Sequence, residues 1–338
     1  GWTVDGEGKA MHKSLGNAMP PEEIIKDYGA DMLRLWVASA DYTQDMRISK
    51  EIMKQLSQAY LKIRNTARYM LGNLNGFDPD KAVAVKDMLD LDKWAVAAFN
   101  NLARDVRAGY DAYEFHTVYR AVYNFCVVDM SNFYLDIIKD RLYCGADADR
   151  ASAQSALYLI LDGMTRMLAP ILAFTSQEIW TAMPHRASDD GECVLFNDIP
   201  DYDPALALDE KEAERWQELL NVRDVVLKAL EEAREQGVKK NQDAEVTLHL
   251  PEKAYAAWEA GKVLPGFDEA DLATLFIVSK VMVAKRDGEP ADPDVDATVS
   301  VALSQAPKCP RCWNHDAGIG TAGHHAELCD RCAKVLGE

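Results

Sequence analysis

The most informative absences in this 338-residue sequence concern apolar runs and positive charge. No apolar stretch reaches the ~20 residues that a membrane-spanning helix needs, and the first residues do not resemble a signal peptide. Lys and Arg number 37 against 55 Asp and Glu, which gives a net charge of -18. A polyanion such as a nucleic acid can therefore bind only at local basic faces, and we expect no membrane partner.

Cysteine is scarce before the last thirty residues. Cys126, Cys144 and Cys193 are scattered without the pairing of a disulfide framework, so a reducing cytoplasm fits the sequence best. The remaining cysteines form two C-x-x-C pairs, sixteen residues apart: Cys309, Cys312, Cys329 and Cys332. A redox pair would explain one such motif but not two. Paired knuckles predict one structural zinc ion, closed to water because four thiolates complete its coordination.

Three histidines lie in the loop between the two cysteine pairs: His315, His324 and His325. Because four cysteines already fill a tetrahedral site, we interpret these histidines as solvated loop residues. Trp313 directly follows the second cysteine, and two roles stay open for it. The indole either packs against the knuckle or stacks on a nucleotide.

The N-terminal segment lacks the G-x-x-x-x-G-K-[ST] spacing of a P-loop. Residues 5–17 nevertheless combine glycines with two lysines, a serine and a histidine. Glycine lets the backbone approach a phosphate closely, and lysine supplies a positive charge. On the residues alone, a phosphate-binding loop and a solvated turn are both open interpretations.

The segment that follows predicts two short helices. Pro20 and Pro21, with two glutamates after them, favour a helix start, and Gly29 can end that helix before a second one over residues 31–37. Together with residues 9–14 this pattern resembles the second signature loop and the stem-contact helices of class I aminoacyl-tRNA synthetases. Residues 29–39 and 63–68 and the paired C-x-x-C motifs are most similar to the isoleucyl branch of that family.

The resemblance implies catalytic roles in the loop. Lys13 would stabilise charge on the ATP phosphates as the aminoacyl-adenylate forms, and Ser14 would line the nucleotide. The family's first lysine is replaced here by Ala10 and its serine by His12, so Lys9 is a hypothetical source of the missing charge. The predicted nucleotide contacts are Lys9, Met11, His12 and Lys13.

Basic residues on one helix face are candidates for contact with tRNA. Apolar residues recur every three or four positions over residues 51–75, and this spacing predicts a helix with one buried face. Taken alone, the basic residues beside that face fit a solvated surface equally well. With the resemblance, the predicted tRNA contacts are Arg47, Lys62, Arg64, Arg68, Arg311 and Trp313. The residues that would offset the negative charge of the zinc thiolates are Lys308, Arg311, Arg331 and Lys334.

The predicted fold class is mainly α: a helical anticodon-binding bundle, a small C-terminal α+β module and a four-cysteine zinc knuckle. The predicted strands cover residues 244–250 and 297–302, with one or two more over 275–278 and 279–284 and a turn or exposed loop at 287–296. We divide the chain into the signature loop with stem-contact helices (1–80), the bundle (81–240), the α+β module (241–304) and the zinc-binding peptide (305–338).

The resemblance implies the C-terminal, tRNA-binding portion of an isoleucyl-type synthetase, a cytoplasmic and monomeric ligase. Its partners would be isoleucine tRNA and, in the complete enzyme, isoleucine, ATP and Mg²⁺. The chain by itself is predicted to be inactive, because the first signature and the amino-acid pocket are absent from it. The alternatives are a valyl- or leucyl-type synthetase fragment and a noncatalytic zinc-ribbon RNA-binding module.

Overall fold

A computed structural model describes residues 1–286, 297–320 and 325–337 of the chain. The chain is divided into two compact units. Unit 1 comprises Gly1–Asp136 and Asp147–Ala207, and unit 2 comprises Ile137–Ala146 and Leu208–Glu338. Helices hold 59% of the residues, which confirms the mainly helical fold class. The four domain limits stay a prediction, and the predicted loop 287–296 and His324 lie outside the described residues.

Unit 1 begins with the segment that carries the predicted phosphate loop. Strand β1 (Thr3–Val4) is followed by helices α1 (Pro21–Tyr28) and α2 (Ala30–Ser39) and by strand β2 (Met46–Arg47), which pairs with β1 in parallel. Pro21 occupies the first turn of α1 with acidic residues beside it, as the sequence predicts. Gly29, at a φ of 89°, separates the two helices.

Six helices follow along the chain: α3 (Lys50–Gly72), α4 (Asp90–Asp111), α5 (Phe115–Asn124), α6 (Leu135–Cys144), α7 (Asp147–Leu168) and α8 (Ala173–Ala182). Residues Phe125–Tyr134 form a π-helix between α5 and α6. Helix α7 is buried around most of its circumference from Ser152 onward, including small and polar side chains such as Ser155 and Thr165. Pro170 lies in the break between α7 and α8, where its ring excludes a continuous helix.

Unit 2 contains the long helix α9 (Glu210–Arg234) and a small mixed sheet. The remaining elements are β3 (Ala244–Leu250), α10 (Glu252–Glu259), α11 (Glu269–Phe276), β4 (Lys280–Lys285), β5 (Thr298–Leu303) and α12 (Asp330–Val335). The strand order is β4-β3-β5, with β4 parallel and β5 antiparallel to the central strand. Side chains of β3 alternate between buried and half-buried, as a strand with one covered face requires.

One strand prediction was wrong. Residues 275–278 do not form a strand, because Leu275 and Phe276 are the last turn of α11. A capping box at Asp268 starts this helix, and its apolar side chains at helical spacing are buried. Ile277 then ends the helix in the left-handed region with a φ of 60°. No helix among the described residues is both long and apolar enough to cross a membrane.

Candidate functional site

A hydrogen-bond network around Asp5 fixes the backbone of the N-terminal loop. The Asp5 carboxylate accepts from the backbone N–H groups of Glu7 (3.0 Å) and Lys9 (2.8 Å). It also accepts from the Asn17 amide (2.8 Å), whose own oxygen accepts from the N–H of His12 (2.9 Å). The bond from Asn17, followed by that from Lys9, lowers the pKa of Asp5. Neither Asp5 nor Asn17 was predicted to have this role, although Asp and Asn favour such bonds in turns.

The predicted catalytic side chains project from this fixed backbone. Lys13 and Ser14 lie in one 3₁₀ turn, which ends at Gly16 with a φ of 65°. Both side chains are exposed, and within the described part of the chain neither has a hydrogen-bond or ionic partner. The turn therefore holds an ammonium and a hydroxyl group that are available to a ligand.

The other residues of the predicted nucleotide site differ in their surroundings. Lys9 forms an exposed ion pair with Glu7 at 2.7 Å, while His12 is exposed and Met11 is half-buried. The guanidinium group of Arg47 lies against Gly8, since a Cβ atom at that glycine would be 3.4 Å from Arg47 Nη2. Arg47, which we predicted to contact tRNA, therefore borders the loop.

Helix α2 is joined to the start of α8 by a buried carboxylate. Asp31 accepts hydrogen bonds from the N–H (2.7 Å) and Oγ1 (2.6 Å) of Thr175 and from the N–H of Phe174 (3.3 Å). Free N–H groups at a helix N-terminus favour an anion, so Asp31 caps α8 from a distant part of the chain. Arg34 adds a bond to the Ile171 carbonyl at 2.8 Å. The helices behind the loop are thus anchored to the bundle within unit 1.

The three basic residues of α3 that we predicted to contact tRNA differ in their surroundings. Lys62 and Arg68 are exposed, with no ion pair in the part of the chain that the structure describes. Arg64 is half-buried and lies 3.6 Å from the carboxylate of Glu178. Two of the three cations therefore remain open to an anionic partner.

The four predicted metal ligands converge in unit 2. The sulfur atoms of Cys309, Cys312, Cys329 and Cys332 all lie within 4.8 Å of one another, and all four residues are buried. The sulfurs of Cys312 and Cys329 are 3.7 Å apart. Sulfurs bound to one zinc ion at ~2.3 Å lie ~3.8 Å apart at the corners of a tetrahedron, so the geometry fits that ion.

The charges around the sulfurs also fit a cation. Burial raises the pKa of the Cys309 thiol, but three backbone N–H groups that donate to it outweigh burial, and the pKa falls to about 7. Burial dominates at Cys312 and Cys329 and raises the pKa of both thiols, to about 11 at Cys329. Thiols of this kind lose their protons when a metal ion binds to the sulfur atoms.

Two arginines clamp the cysteine cluster to α6. The guanidinium group of Arg311 donates to the Cys144 carbonyl at 2.7 Å, and the Cys144 thiol donates to the Arg311 carbonyl at 3.3 Å. Arg331 makes a two-point contact with Asp140, one bond of which is 2.8 Å long. A hydrogen bond to Cys332 raises the pKa of Arg311, and the bond to Asp140 raises that of Arg331. Both arginines thus have partners inside unit 2.

His315 corrects one interpretation made from the sequence. It is not a solvated loop residue: its side chain is 15% exposed, its Nδ1 donates to the Ala306 carbonyl at 2.6 Å, and its backbone N–H donates to Ser279 Oγ. Trp313, by contrast, is 55% exposed, and its φ of 67° places it in the left-handed region. The antiparallel bridge between Lys308 and His315 encloses the first knuckle, with His315 turned inward and Trp313 outward.

Three protein-family models match the chain. Residues 1–49 match tRNA synthetases class I (I, L, M and V), residues 92–248 match the anticodon-binding domain of tRNA ligase, and residues 307–335 match the zinc finger found in FPG and IleRS. Loop, helical bundle and cysteine cluster therefore define a portion of a class I tRNA synthetase.

Isoleucine–tRNA ligases match over nearly the whole chain. The protein of Syntrophotalea carbinolica is 47% identical over 99% of this chain, that of Geobacter sulfurreducens 45% over 99%, and that of Caldanaerobacter subterraneus subsp. tengcongensis 43% over 100%. The chain belongs to the isoleucine–tRNA ligase family, as its C-terminal, anticodon-binding portion. It spans about 36% of the length of these relatives. This membership favours the isoleucyl interpretation over the valyl, leucyl and zinc-ribbon alternatives.

Among solved structures, the ternary complex of Agrobacterium radiobacter K84 LeuRS with tRNA and LeuAMS matches 62% of this chain and 24% of that chain. The TM-score is 0.46 and the identity is 18%. A likeness at this level bears on neither fold nor function here.

Proposed function

We propose that this chain is the tRNA-binding portion of an enzyme that activates isoleucine with ATP and Mg²⁺ and transfers it to isoleucine tRNA. The observation that carries the proposal is the identity of 41–47% to isoleucine–tRNA ligases along the whole chain, joined to a four-cysteine cluster in the matched zinc finger. We further propose that the complete enzyme is a cytoplasmic monomer, and that the chain alone is inactive.

The exposed turn at Lys13 supports a role in adenylate formation. When an amino-acid carboxylate attacks the α-phosphorus of ATP, negative charge builds on the phosphate oxygens and pyrophosphate leaves. The Lys13 ammonium can stabilise this charge without transferring a proton, and the hydroxyl group of Ser14 can donate to a phosphate oxygen. The Asp5 network contributes preorganisation, since it orders the turn before a ligand arrives.

One structural zinc ion is proposed at the four cysteines. It would supply no chemistry beyond cross-linking the two knuckles, because four sulfurs leave no open coordination position. Cys309 and Cys312 would hold it from the first knuckle, and Cys329 and Cys332 from the second. The donors are buried and have cationic neighbours in Arg311 and Arg331, which can offset two of the four thiolate charges.

The proposed tRNA contacts are Arg47, Lys62, Arg64, Arg68, Arg311 and Trp313. Lys62 and Arg68 are the best candidates for phosphate binding, because they are exposed and have no ionic partner among the described residues. Trp313 supports stacking on an unpaired base, because more than half of its surface is exposed. Arg64 and Arg311 already have protein partners, so they would contact RNA only with part of their donor groups.

Binding of the zinc-loaded chain to purified tRNAs tests the proposal. We expect tighter binding of isoleucine tRNA than of tRNAs with other anticodons, and weaker binding of all of them as salt rises. Equal affinity for every tRNA would contradict the isoleucine assignment. ATP–pyrophosphate exchange by the chain alone should be absent, and measurable exchange would overturn the prediction of inactivity.

A further inference from the structure

A lysine doublet that the sequence analysis did not single out meets the exposed indole of the zinc knuckle. Lys239 and Lys240 lie in the turn between α9 and β3, and both are exposed. The Lys240 ammonium lies 5.5 Å from the centroid of the Trp313 ring. A cation at this distance from an indole face is attracted by the π electrons of the ring.

The turn that carries Lys240 is fixed to the knuckle, so the contact does not depend on a free loop. Asp243 accepts a hydrogen bond from Lys308 Nζ (2.5 Å), and His315 Nε2 lies 3.3 Å from the same carboxylate oxygen. Ser279 Oγ accepts from the His315 N–H (2.6 Å) and donates to the Gln242 carbonyl (2.5 Å). The Lys240 backbone is two residues from Gln242 and three from Asp243, the two points of attachment. Its side chain therefore starts from a defined position beside Trp313.

The cations around the knuckle fall into two groups. Lys308, Arg311 and Arg331 are held by Asp243, the Cys144 carbonyl and Asp140, respectively. Lys239 and Lys240 have no ion pair within the described ranges of the chain. Lys334 on α12 is likewise exposed and without an ion pair in these ranges, so the positive charge available near the knuckle comes from the doublet and Lys334 and not from the two arginines.

The conformation of Trp313 is the second unusual feature of this surface. A left-handed φ of 67° favours glycine, and a large side chain there is held against a backbone preference. The ring contributes little to the core, since 55% of the residue is exposed. The exposed part of the ring offers a flat apolar face on which a base can stack.

We propose that Lys240 and Trp313 form a clamp for one unpaired nucleotide, with Lys239 beside it. This inference rests on the proposed function, because the ligand is single-stranded RNA of a tRNA loop. In the free protein the ammonium of Lys240 covers one face of the indole. On binding, the base stacks on the indole, and Lys240 moves from the ring to the phosphate of the same nucleotide, where an ion pair replaces the cation–π contact.

Binding of isoleucine tRNA to the zinc-loaded 338-residue chain tests the clamp, with Lys253→Ala on α10 as the matched control. Lys253 is exposed and has no ion pair in the described part of the chain. Trp313→Ala should weaken binding by roughly 5- to 100-fold through lost stacking. Lys240→Ala should weaken it by about threefold to tenfold and lower the slope of log affinity against log salt by ~0.7. Lys240→Arg should restore most of the loss, while Lys253→Ala should match the parent.

The contact in the free protein has its own measurement. The chain is labelled with 5-fluorotryptophan and its fluorine NMR spectrum is recorded. The resonance that disappears in Trp313→Phe is assigned to Trp313. This resonance should shift in Lys240→Ala and not in Lys253→Ala. An unchanged resonance would overturn the covering role of Lys240.

The outcomes separate the clamp from the proposed function. If the parent chain binds tRNA and Trp313→Ala weakens binding, but Lys240→Ala keeps the parent affinity and salt slope, the clamp is wrong and the proposed function stands. Equal losses in Lys240→Ala and Lys253→Ala would also contradict the clamp, since any surface lysine would then serve. If the parent chain binds no tRNA, both proposals fail together. One zinc ion per chain in every variant excludes misfolding as the cause.

Discussion

The N-terminal loop and the zinc knuckle differ in what happens to their basic and polar side chains. In the loop, the backbone is fixed by Asp5 and Asn17, and the side chains of Lys13 and Ser14 are left without partners among the described residues. In the knuckle, the chemically active side chains are themselves turned inward, and its arginines bind backbone and carboxylate groups of α6. The difference teaches that a basic residue in a motif is available to a ligand only where the fold has not already paired it.

Removal of one zinc ligand should disturb the knuckle more than any other single change. In Cys332→Ser the sulfur cluster loses one of four donors, and we expect zinc affinity to fall by more than the ~100-fold that changes to outer-shell groups produce. Zinc content after dialysis against a chelator measures this loss. Cys193→Ser in unit 1 is the control and should retain one zinc ion per chain. A Cys332→Ser chain that holds zinc as tightly as the parent would contradict the four-sulfur site.

A change in the loop should leave the fold intact and affect only chemistry. In the complete enzyme, Lys13→Ala should slow ATP–pyrophosphate exchange by roughly 100- to 1000-fold, the usual effect of removing one preorganised charge or donor. Its thermal stability should stay that of the parent, because Lys13 has no partner in the described part of the chain. Lys26→Ala on α1 is the control. If Lys13→Ala exchanged ATP and pyrophosphate as fast as the parent, Lys13 would have no role in adenylate formation.

Replacement of the buried carboxylate of Asp31 should disturb the structure, as loss of a zinc ligand does, whereas a change in the loop should affect only the chemistry. Asp31→Ala leaves the N–H of Thr175 and its hydroxyl group without their acceptor, which should lower the free energy of unfolding of unit 1 by about 3 kcal/mol. Urea titration followed by circular dichroism measures this. Asp27→Ala, an exposed acid on α1, should change stability by less than about 0.5 kcal/mol. Equal stability of both variants would show that Asp31 does not cap α8.

The smallest expected effect concerns the ion pair that holds the lysine turn to the knuckle. The bond from Lys308 lowers the pKa of Asp243 in the folded protein. Its stabilisation is therefore fully present above the unfolded pKa of ~3.9 and is lost as the pH falls through the lower folded pKa. Asp243→Asn should cost about 1 kcal/mol at pH 7, because the pair is partly exposed, and progressively less below about pH 4.

Urea titrations of Asp243→Asn at pH 7 and pH 3 measure this dependence. Glu232→Gln on α9 removes an exposed carboxylate and is the matched control. A cost that does not change between the two pH values would show that the charge on Asp243 does not contribute.

Sequence reasoning succeeded where spacing alone decides the structure. The C-x-x-C pairs predict the sulfur cluster, and the break at Pro170 and the alternation in β3 appear where expected. It failed at residues 275–278, whose apolar run fits a strand or the end of a helix equally well. The capping box formed by Asp268 and Asp271, three residues apart, is the upstream signal that favours the helix over the strand.

The sequence by itself determined the mainly helical class, the four-sulfur cluster and the family, because periodicity, ligand spacing and motif residues are local properties of the chain. Only the tertiary structure decided which of the predicted functional side chains are free. Asp5 and Asn17 order the loop, Asp31 caps a helix that begins more than a hundred residues later, and Lys240 covers Trp313. Hydrogen bonds and ion pairs of this kind depend on distances in space, which separation along the chain does not specify.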